Sequence, residues 1–249
     1  METTAVTIDK RAERIRDMFA GIAPRYDLLN SLLSLRIDRR WRARVVRETP
    51  PDHADSAPIL DVCTGTGELA LAFAAAHPNN VVIGTDFCRP MLEIAKAKAA
   101  KLPDAARRPE FMEADALSLP FPSDRFQVAS IAFGLRNVAD FRAGLAELAR
   151  VVQPGGRVAV LEFSRPRTPI LKHLYLAYFK QILPRIGQRV SPNREAAYEY
   201  LPASVMAFPD GEELADELRA VGLEKVSTKP LTFGIAALTT GRKPLTSSR

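Results

Sequence analysis

The residues best suited to hold a ligand lie in the run LDVCTGTGE at Leu60–Glu68. Gly65 and Gly67 allow the backbone to turn sharply and to approach a ligand without a Cβ in the way. The spacing differs from the G-x-G-x-x-G of dinucleotide folds, because Leu69 and Ala70 stand where a third glycine is expected. The run therefore predicts a ligand-binding turn and disfavours a dinucleotide as the ligand.

Acidic residues flank this turn. Glu68 begins the predicted helix, where a negative charge would repel a pyrophosphate. Asp61 and Glu68 together suit a ligand that carries cations, as the amino group and the sulfonium of S-adenosylmethionine do. The alternative is a plain tight turn with an acid that caps the helix.

Two more carboxylates follow predicted strands. Asp86 ends the second strand, where its side chain can accept hydrogen bonds from both hydroxyls of a ribose. Asp86 would also suit capping of the helix that starts near Pro90. Asp115 follows the third strand and can accept from an adenine amino group, although an isolated Asp is more often a turn residue.

These positions require a sheet that gathers the carboxyl ends of its strands. Helices are predicted at 68–77, 90–101, 141–152 and 211–221, and seven runs predict strands at 58–63, 80–86, 110–114, 126–133, 156–163, 224–229 and 233–240. This alternation predicts an α/β fold with a doubly wound, mostly parallel, Rossmann-like sheet of seven strands. The short link between the last two strands predicts an antiparallel hairpin.

Local signals refine this outline. Gln153-Pro-Gly-Gly156 predicts a turn between a helix and a strand. Asp38 is predicted to cap a helix that carries Trp41, Val45 and Val46.

The whole chain, 1–249, is predicted to be one domain. Its parts are an N-terminal helical lid at 9–48, a cofactor-binding core at 58–163, a helical insertion on the substrate side at 168–208 and the end of the sheet at 209–243. Two helices are predicted within the insertion, at 170–183 and 194–206.

Charge is concentrated near the N-terminus. The chain has a net charge of +6, and positions 10–47 hold eleven basic residues against four acidic ones. Such a segment suits an anionic membrane surface better than nucleic acid, because aromatic residues are sparse there; a merely solvated face is the alternative. No apolar leader, membrane-length apolar run or metal-type cysteine pair is visible, so we expect a cytoplasmic protein without a metal. The oligomeric state stays open.

Several runs together resemble one known family. They are FAGIAPRYDLLN at 19–30, LDVCTGTGE, EADALSLPFPSDRF at 113–126, IAFGLRNV at 131–138, VVQPGGRVAVLEFSRP at 151–166, LPRIG at 183–187 and AYEYLPASVMAFP at 197–209. The chain is similar over most of its length to the demethylmenaquinone methyltransferases and 2-polyprenyl-6-methoxy-1,4-benzoquinol methylases. These are class I methyltransferases that use S-adenosylmethionine.

The resemblance implies a set of cofactor contacts. Thr66, Asp86, Asp115 and Ala116 occupy positions that bind S-adenosylmethionine in the family. Many members carry Ser where this chain has Ala132, so only a backbone contact is expected there. Asp61, Gly65 and Gly67 complete the predicted cofactor set.

The resemblance also implies the reaction, C-methylation of a quinol that carries a polyprenyl tail. The acceptor is a naphthoquinol, a benzoquinol or both. Arg136 is predicted to stabilise the quinol oxyanion, Asn137 to orient a ring oxygen and Tyr26 to contact the substrate. A salt bridge at the surface is the alternative for Arg136.

Three other functions remain open from the sequence. An O- or N-methyltransferase for another hydrophobic molecule would share the cofactor half and differ within 168–208. A nicotinamide-dependent oxidoreductase is disfavoured by the missing third glycine and by Glu68. A non-catalytic protein is the third, since a fold does not dictate chemistry.

Overall fold

Alternating helices and strands follow one another along the chain. The computed structural model describes residues 12–34, 36–52, 56–103, 108–166 and 195–245. The helices within these ranges are α1 (Ala12–Ile22), α2 (Tyr26–Leu33), α3 (Ile37–Glu48), α4 (Glu68–Ala76), α5 (Arg89–Ala99), α6 (Phe141–Val151), α7 (Glu195–Ala207) and α8 (Glu212–Ala220). The strands are β1 (Ile59–Val62), β2 (Val82–Asp86), β3 (Glu110–Glu113), β4 (Phe126–Ala132), β5 (Val152–Phe163), β6 (Glu224–Leu231) and β7 (Ala236–Arg242).

The strands form one seven-stranded sheet in the order β3-β2-β1-β4-β5-β7-β6. Strands β1 to β5 are parallel, and β7 runs antiparallel between β5 and β6. The predicted mostly parallel sheet with its C-terminal hairpin is confirmed. Strand order reverses on either side of β1, and the crevice at such a switch point is where open α/β sheets bind ligands.

Helices cover both faces of the sheet because the central strands are apolar on both sides. On one face, Leu145 and Leu148 of α6 and Leu218 of α8 pack on the sheet. On the other face, Trp41 of α3 and Phe73 of α4 do the same. A third, smaller cluster joins Ile22 and Ala23 of the N-terminal helices to Met91 of α5. This third cluster packs the N-terminal helices against α5.

Two local predictions are wrong. The Gln153–Gly156 run is part of β5, where the register with β4 shifts and Gly155 adopts a φ of +78°. The Gly155 N–H donates to the carbonyl of Lys243, and this pairing with a distant segment makes the turn-forming sequence part of the sheet. Asp38 is not the cap of α3, because α3 starts one residue earlier. Arg36 is the N-cap, at a φ of +64°.

The insertion is described only in part. The predicted helix at 170–183 lies outside the described residues, whereas the helix predicted at 194–206 is present as α7. Within the described part of the chain, no helix is both long enough and apolar enough to cross a membrane.

Candidate active site

The turn between β1 and α4 uses each of its two glycines differently. Gly65 has a φ of +56° and Gly67 a φ of +82°, a region that side chains disfavour. A Cβ on Gly67 would lie 2.9 Å from the Cβ of Ala95, so this glycine allows α5 to pack against the turn. A Cβ on Gly65 would meet only Tyr26, at 3.9 Å. Gly65 therefore leaves space at the point where a ligand would approach.

Asp86 connects the Gly turn to the end of β2. One of its carboxylate oxygens accepts from the Gly65 N–H at 2.8 Å, and the other accepts from the Cys88 N–H at 2.9 Å. Burial raises the pKa of Asp86 to about 6, against an ordinary value of 3.8. Cys88 is the N-cap of α5, and this helix has no side-chain cap, so Asp86 bonds to the residue before the helix and does not cap the helix itself.

The loops after β3 and β4 form the opposite wall. Asp115 is exposed, and its Oδ1 accepts from the Leu117 N–H at 2.9 Å, which fixes the loop. Ala116 and Ala132 lie beside it in the same cleft. Neither alanine side chain has a polar group, so at both positions only the backbone can form a hydrogen bond with a ligand.

Polar contacts join α2 to the Gly turn. Thr66 donates to Asp27 at 2.5 Å, and Lys98 of α5 lies 2.5 Å from Asp27 and 2.6 Å from Glu68. The charge of Glu68 is thus already balanced within the protein. Tyr26, directly before Asp27, lines the cleft and packs edge-to-face on Phe19, with ring centroids 6.0 Å apart.

Asp61 lies beneath the turn and does not line the cleft. Its carboxylate accepts from Thr64 at 2.6 Å and from Ser130 at 2.9 Å, and burial raises its pKa to about 6. These bonds join β1, its following turn and β4. They make Asp61 a support for the turn, and a direct ligand contact at Asp61 stays a prediction that this geometry does not favour.

Arg136 belongs to a buried ion pair. The 3₁₀ turn Leu135–Asn137 follows β4, and in it Arg136 Nη1 lies 3.0 Å from Glu162 Oε2 at the end of β5. Glu162 also accepts from the Arg136 backbone N–H at 3.2 Å, and the guanidinium lies 5.4 Å from the ring centroid of Phe163. The salt bridge that was the alternative prediction for Arg136 is therefore present, but it is buried and does not lie at the surface. The role of Arg136 towards an oxyanion stays a prediction.

Asn137 is placed differently from its neighbour. It lines the cleft and its Nδ2 donates to the Phe133 carbonyl at 3.3 Å. Its Oδ1 is buried and has no hydrogen-bond partner within the described ranges. An amide oxygen without a partner at a cleft wall is free to accept from a ligand.

The predicted site residues gather at one cleft of about 760 Å³, open solvent included. Gly65, Asp86, Asp115, Ala116, Ala132, Tyr26 and Asn137 line it, whereas Asp61, Thr66, Gly67 and Arg136 support it from outside. The apolar residues that line the cleft were not predicted as site residues. The helical periodicity of the N-terminal segment and the ends of the strands were the signals that could have indicated them. These apolar residues are Ile15, Phe19, Phe87, Met91, Leu117 and Val138.

The sheet order and the carboxylate at the end of β2 define a class I methyltransferase fold. Solved structures agree. A methyltransferase of Thermotoga maritima that depends on S-adenosylmethionine aligns over 92% of this chain and 99% of its own, with a TM-score of 0.63 and 19% identity. The [4+2]-cyclase SpnF aligns over 84% and 82%, with a TM-score of 0.64 and 21% identity. At such identities the likeness shows the fold alone.

Sequence relatives are more specific. The family model of the ubiE/COQ5 methyltransferase family matches residues 7–243. A demethylmenaquinone methyltransferase of Thermus thermophilus is 48% identical over 91% of this chain and 100% of the relative. A ubiquinone/menaquinone biosynthesis C-methyltransferase of Geobacter sulfurreducens is 44% identical over 97% and 93%. The chain belongs to the ubiE/COQ5 methyltransferase family.

Proposed function

We propose that this protein transfers a methyl group from S-adenosylmethionine to a ring carbon of a polyprenylated quinol. Demethylmenaquinol is the first acceptor to consider, and the benzoquinol of ubiquinone biosynthesis is the second. The observation that carries the proposal is the family match over residues 7–243, in a chain where five of the eight predicted cofactor residues line one cleft.

The cleft residues fit the cofactor chemically. Asp86 accepts one N–H on each oxygen, which leaves acceptor sites for ribose hydroxyls because a carboxylate has about four of them. Asp115 offers a free carboxylate oxygen for an adenine amino group, and Leu117 and Val138 supply apolar walls. When bound, S-adenosylmethionine supplies an electrophilic methyl group on a sulfonium.

The remaining chemistry concerns the quinol. A free phenol has a pKa of about 10, so the protein must favour ionisation of the hydroxyl next to the attacking carbon. Asn137 can accept from a ring hydroxyl and orient it, and Tyr26 closes the cleft from the lid side. Arg136 adds positive potential, reduced by its partner Glu162. Holding the attacking ring carbon, the methyl group and the sulfur in line contributes more to the rate than a protein nucleophile would.

The parts of the chain have separate roles in this proposal. The helices within 9–48 act as a lid, 58–163 binds the cofactor, 168–208 contributes to the substrate side and 209–243 completes the sheet. The contacts of Asp27 with Thr66 and Lys98 support the lid role, because they join α2 to the cofactor turn and to α5.

A polyprenyl tail keeps the acceptor in a bilayer, so we also propose peripheral contact with anionic membrane. Arg39, Arg40 and Arg47 of α3 are exposed and have no ion-pair partner among the described residues. Each well-placed cation adds about 1 kcal/mol of attraction to anionic lipid. Co-sedimentation with anionic and neutral vesicles at low and high salt tests this. Retention by anionic vesicles only, lost at high salt, is the expected result; no retention at low salt contradicts it.

The function itself is tested with purified protein, S-adenosylmethionine and short-chain demethylnaphthoquinol and benzoquinol, each kept reduced. A mass gain of one methyl on carbon, matched by S-adenosylhomocysteine, is expected. A methyl group on oxygen would indicate an O-methyltransferase, and no product with either quinol would refute the proposal. Calorimetric binding of S-adenosylmethionine against NAD separates the oxidoreductase alternative.

A further inference from the structure

Three buried polar atoms that have no hydrogen-bond partner among the described residues lie around the 3₁₀ turn after β4. They are Arg136 Nε, Asn137 Oδ1 and the hydroxyl of Tyr200. Tyr200 lies on α7, which packs against this 3₁₀ turn. A buried polar group without a partner is unfavourable, and native structures keep few of them without a reason such as a ligand. Their grouping points to a ligand group that is polar and small.

Helix α7 also reaches the lid. Leu201, the next residue after Tyr200, packs against the cluster that includes Phe19 and Tyr26. Phe19, Tyr26 and Asn137 all line the cleft. Tyr200 is therefore carried by a helix that packs both against the N-terminal helices and against the 3₁₀ turn that holds Asn137.

The electrostatic surroundings keep the Tyr200 hydroxyl protonated. The pKa of Tyr200 is raised to about 12, mainly because burial disfavours the charged form; Arg136 and Arg14 lower this pKa and Glu162 raises it. At neutral pH the hydroxyl is a hydrogen-bond donor that no acceptor in the described part of the chain uses. The positive charges beside it favour an anionic acceptor.

We propose that the Tyr200 hydroxyl and Asn137 Oδ1 form a binding site for the quinol oxygens, with Tyr200 donating to the oxygen that ionises. This inference rests on the proposed function. Tyr200 keeps its proton throughout; the proton of the quinol hydroxyl goes to water, and the donated hydrogen bond stabilises the phenolate that remains. Tyr200 would thus help to select a phenolic acceptor.

The test compares two hydroxyl deletions on the same helix. Tyr200→Phe removes only the hydroxyl and keeps the ring. Ser204→Ala is the matched control, because the Ser204 hydroxyl already donates to the Leu201 carbonyl at 3.0 Å. Both variants of the full chain are characterised by melting temperature, by calorimetric affinity for S-adenosylmethionine and by methylation of a short-chain naphthoquinol across pH.

For Tyr200→Phe we expect kcat/KM for the quinol to fall roughly 10- to 100-fold, as for loss of a hydrogen bond to a charged group. The pH of half-maximal turnover should rise, because the quinol ionises without its donor. Cofactor affinity and melting temperature should not fall, since the lost hydroxyl has no hydrogen-bond partner in the ranges that the structure describes. Ser204→Ala should keep the wild-type pH profile. An unchanged kcat/KM and profile for Tyr200→Phe overturns the proposal, as does a lower melting temperature with an unchanged profile.

A second probe separates this site from the proposed acceptor. The absorbance of 4-nitrophenol reports its own ionisation, so its apparent pKa on the protein can be measured without methyl transfer. We expect the wild type to lower that pKa and Tyr200→Phe to lower it less. If the wild type methylates no quinol yet shows this difference, the proposed function fails and the phenolate site stands. If quinols are methylated and the two proteins agree in both assays, only the Tyr200 site fails. If the wild type methylates no quinol and the two proteins give the same apparent pKa for 4-nitrophenol, both the proposed function and the Tyr200 site fail.

Discussion

The carboxylate of Asp86 joins the stability of the protein to its cofactor affinity, and Asp86→Asn separates the two. Asp86 is held by the N–H groups of Gly65 and Cys88 and is buried, which raises its pKa from 3.8 to about 6. The folded state therefore binds this proton more tightly than the unfolded state. The stabilisation by protonation is complete below the unfolded pKa and is lost as the pH rises through about 6.

The magnitude follows from the two pKa values. Between about pH 4.5 and about pH 7.5, the charged carboxylate should lower the free energy of unfolding of the wild type by about 2 kcal/mol. Asn carries no charge, so the stability of Asp86→Asn relative to the wild type should increase by that amount over this range. The variant also faces two N–H donors with a single acceptor oxygen, which costs about 1–3 kcal/mol at every pH. The pH dependence, not the absolute stability, is therefore the informative quantity.

The affinity of Asp86→Asn for the cofactor should be lower than that of the wild type. Weaker bonds to two ribose hydroxyls cost roughly 2–3 kcal/mol, or about 30- to 150-fold in affinity. Wild-type affinity should also fall as the pH drops through about 6, because a protonated carboxyl accepts fewer hydrogen bonds, whereas the variant should show no such dependence.

Urea unfolding and calorimetry at a series of pH values measure both effects. Asp61→Asn is the comparison, since Asp61 has the same raised pKa but lies outside the cleft. It should show the same trend in stability with a much smaller loss of affinity. Equal affinity of Asp86→Asn and the wild type at neutral pH would show that the ribose site is misplaced. Parallel stability curves would show that the pKa of Asp86 is not raised.

Two other contacts lead to predictions. Glu162→Gln leaves Arg136 buried without its charge partner, so the free energy of unfolding should fall by about 3–5 kcal/mol in urea titrations; an unchanged midpoint would contradict the buried pair. Lys98→Met removes the bridge from Asp27 to Glu68, whose side chains are 24–39% exposed. Its effect on stability should stay below about 1 kcal/mol, while calorimetry should show weaker cofactor binding as the lid loosens; unchanged affinity would exclude Lys98 from lid closure.

The sequence by itself determined the elements whose signals are local. Apolar strand runs, the paired glycines at 65 and 67, and the acid that ends β2 each express short-range preferences of backbone and side chain. The sheet, its hairpin and the position of Asp86 were therefore predictable. The apolar faces of the helices were predictable for the same reason, because each helix has its own periodicity.

Tertiary structure alone decided which polar groups are used within the protein and which face the cleft. Arg136 and Glu162 are 26 positions apart, and Thr66 is 39 positions from Asp27. Pairs this distant leave no periodic signal, because only the pairing of the strands and the packing of the N-terminal helices bring them together. The pairing of β1 with β4 also buries Asp61 under the turn. Because buried backbone groups must find partners, strand pairing also includes the turn-forming Pro-Gly-Gly sequence in β5.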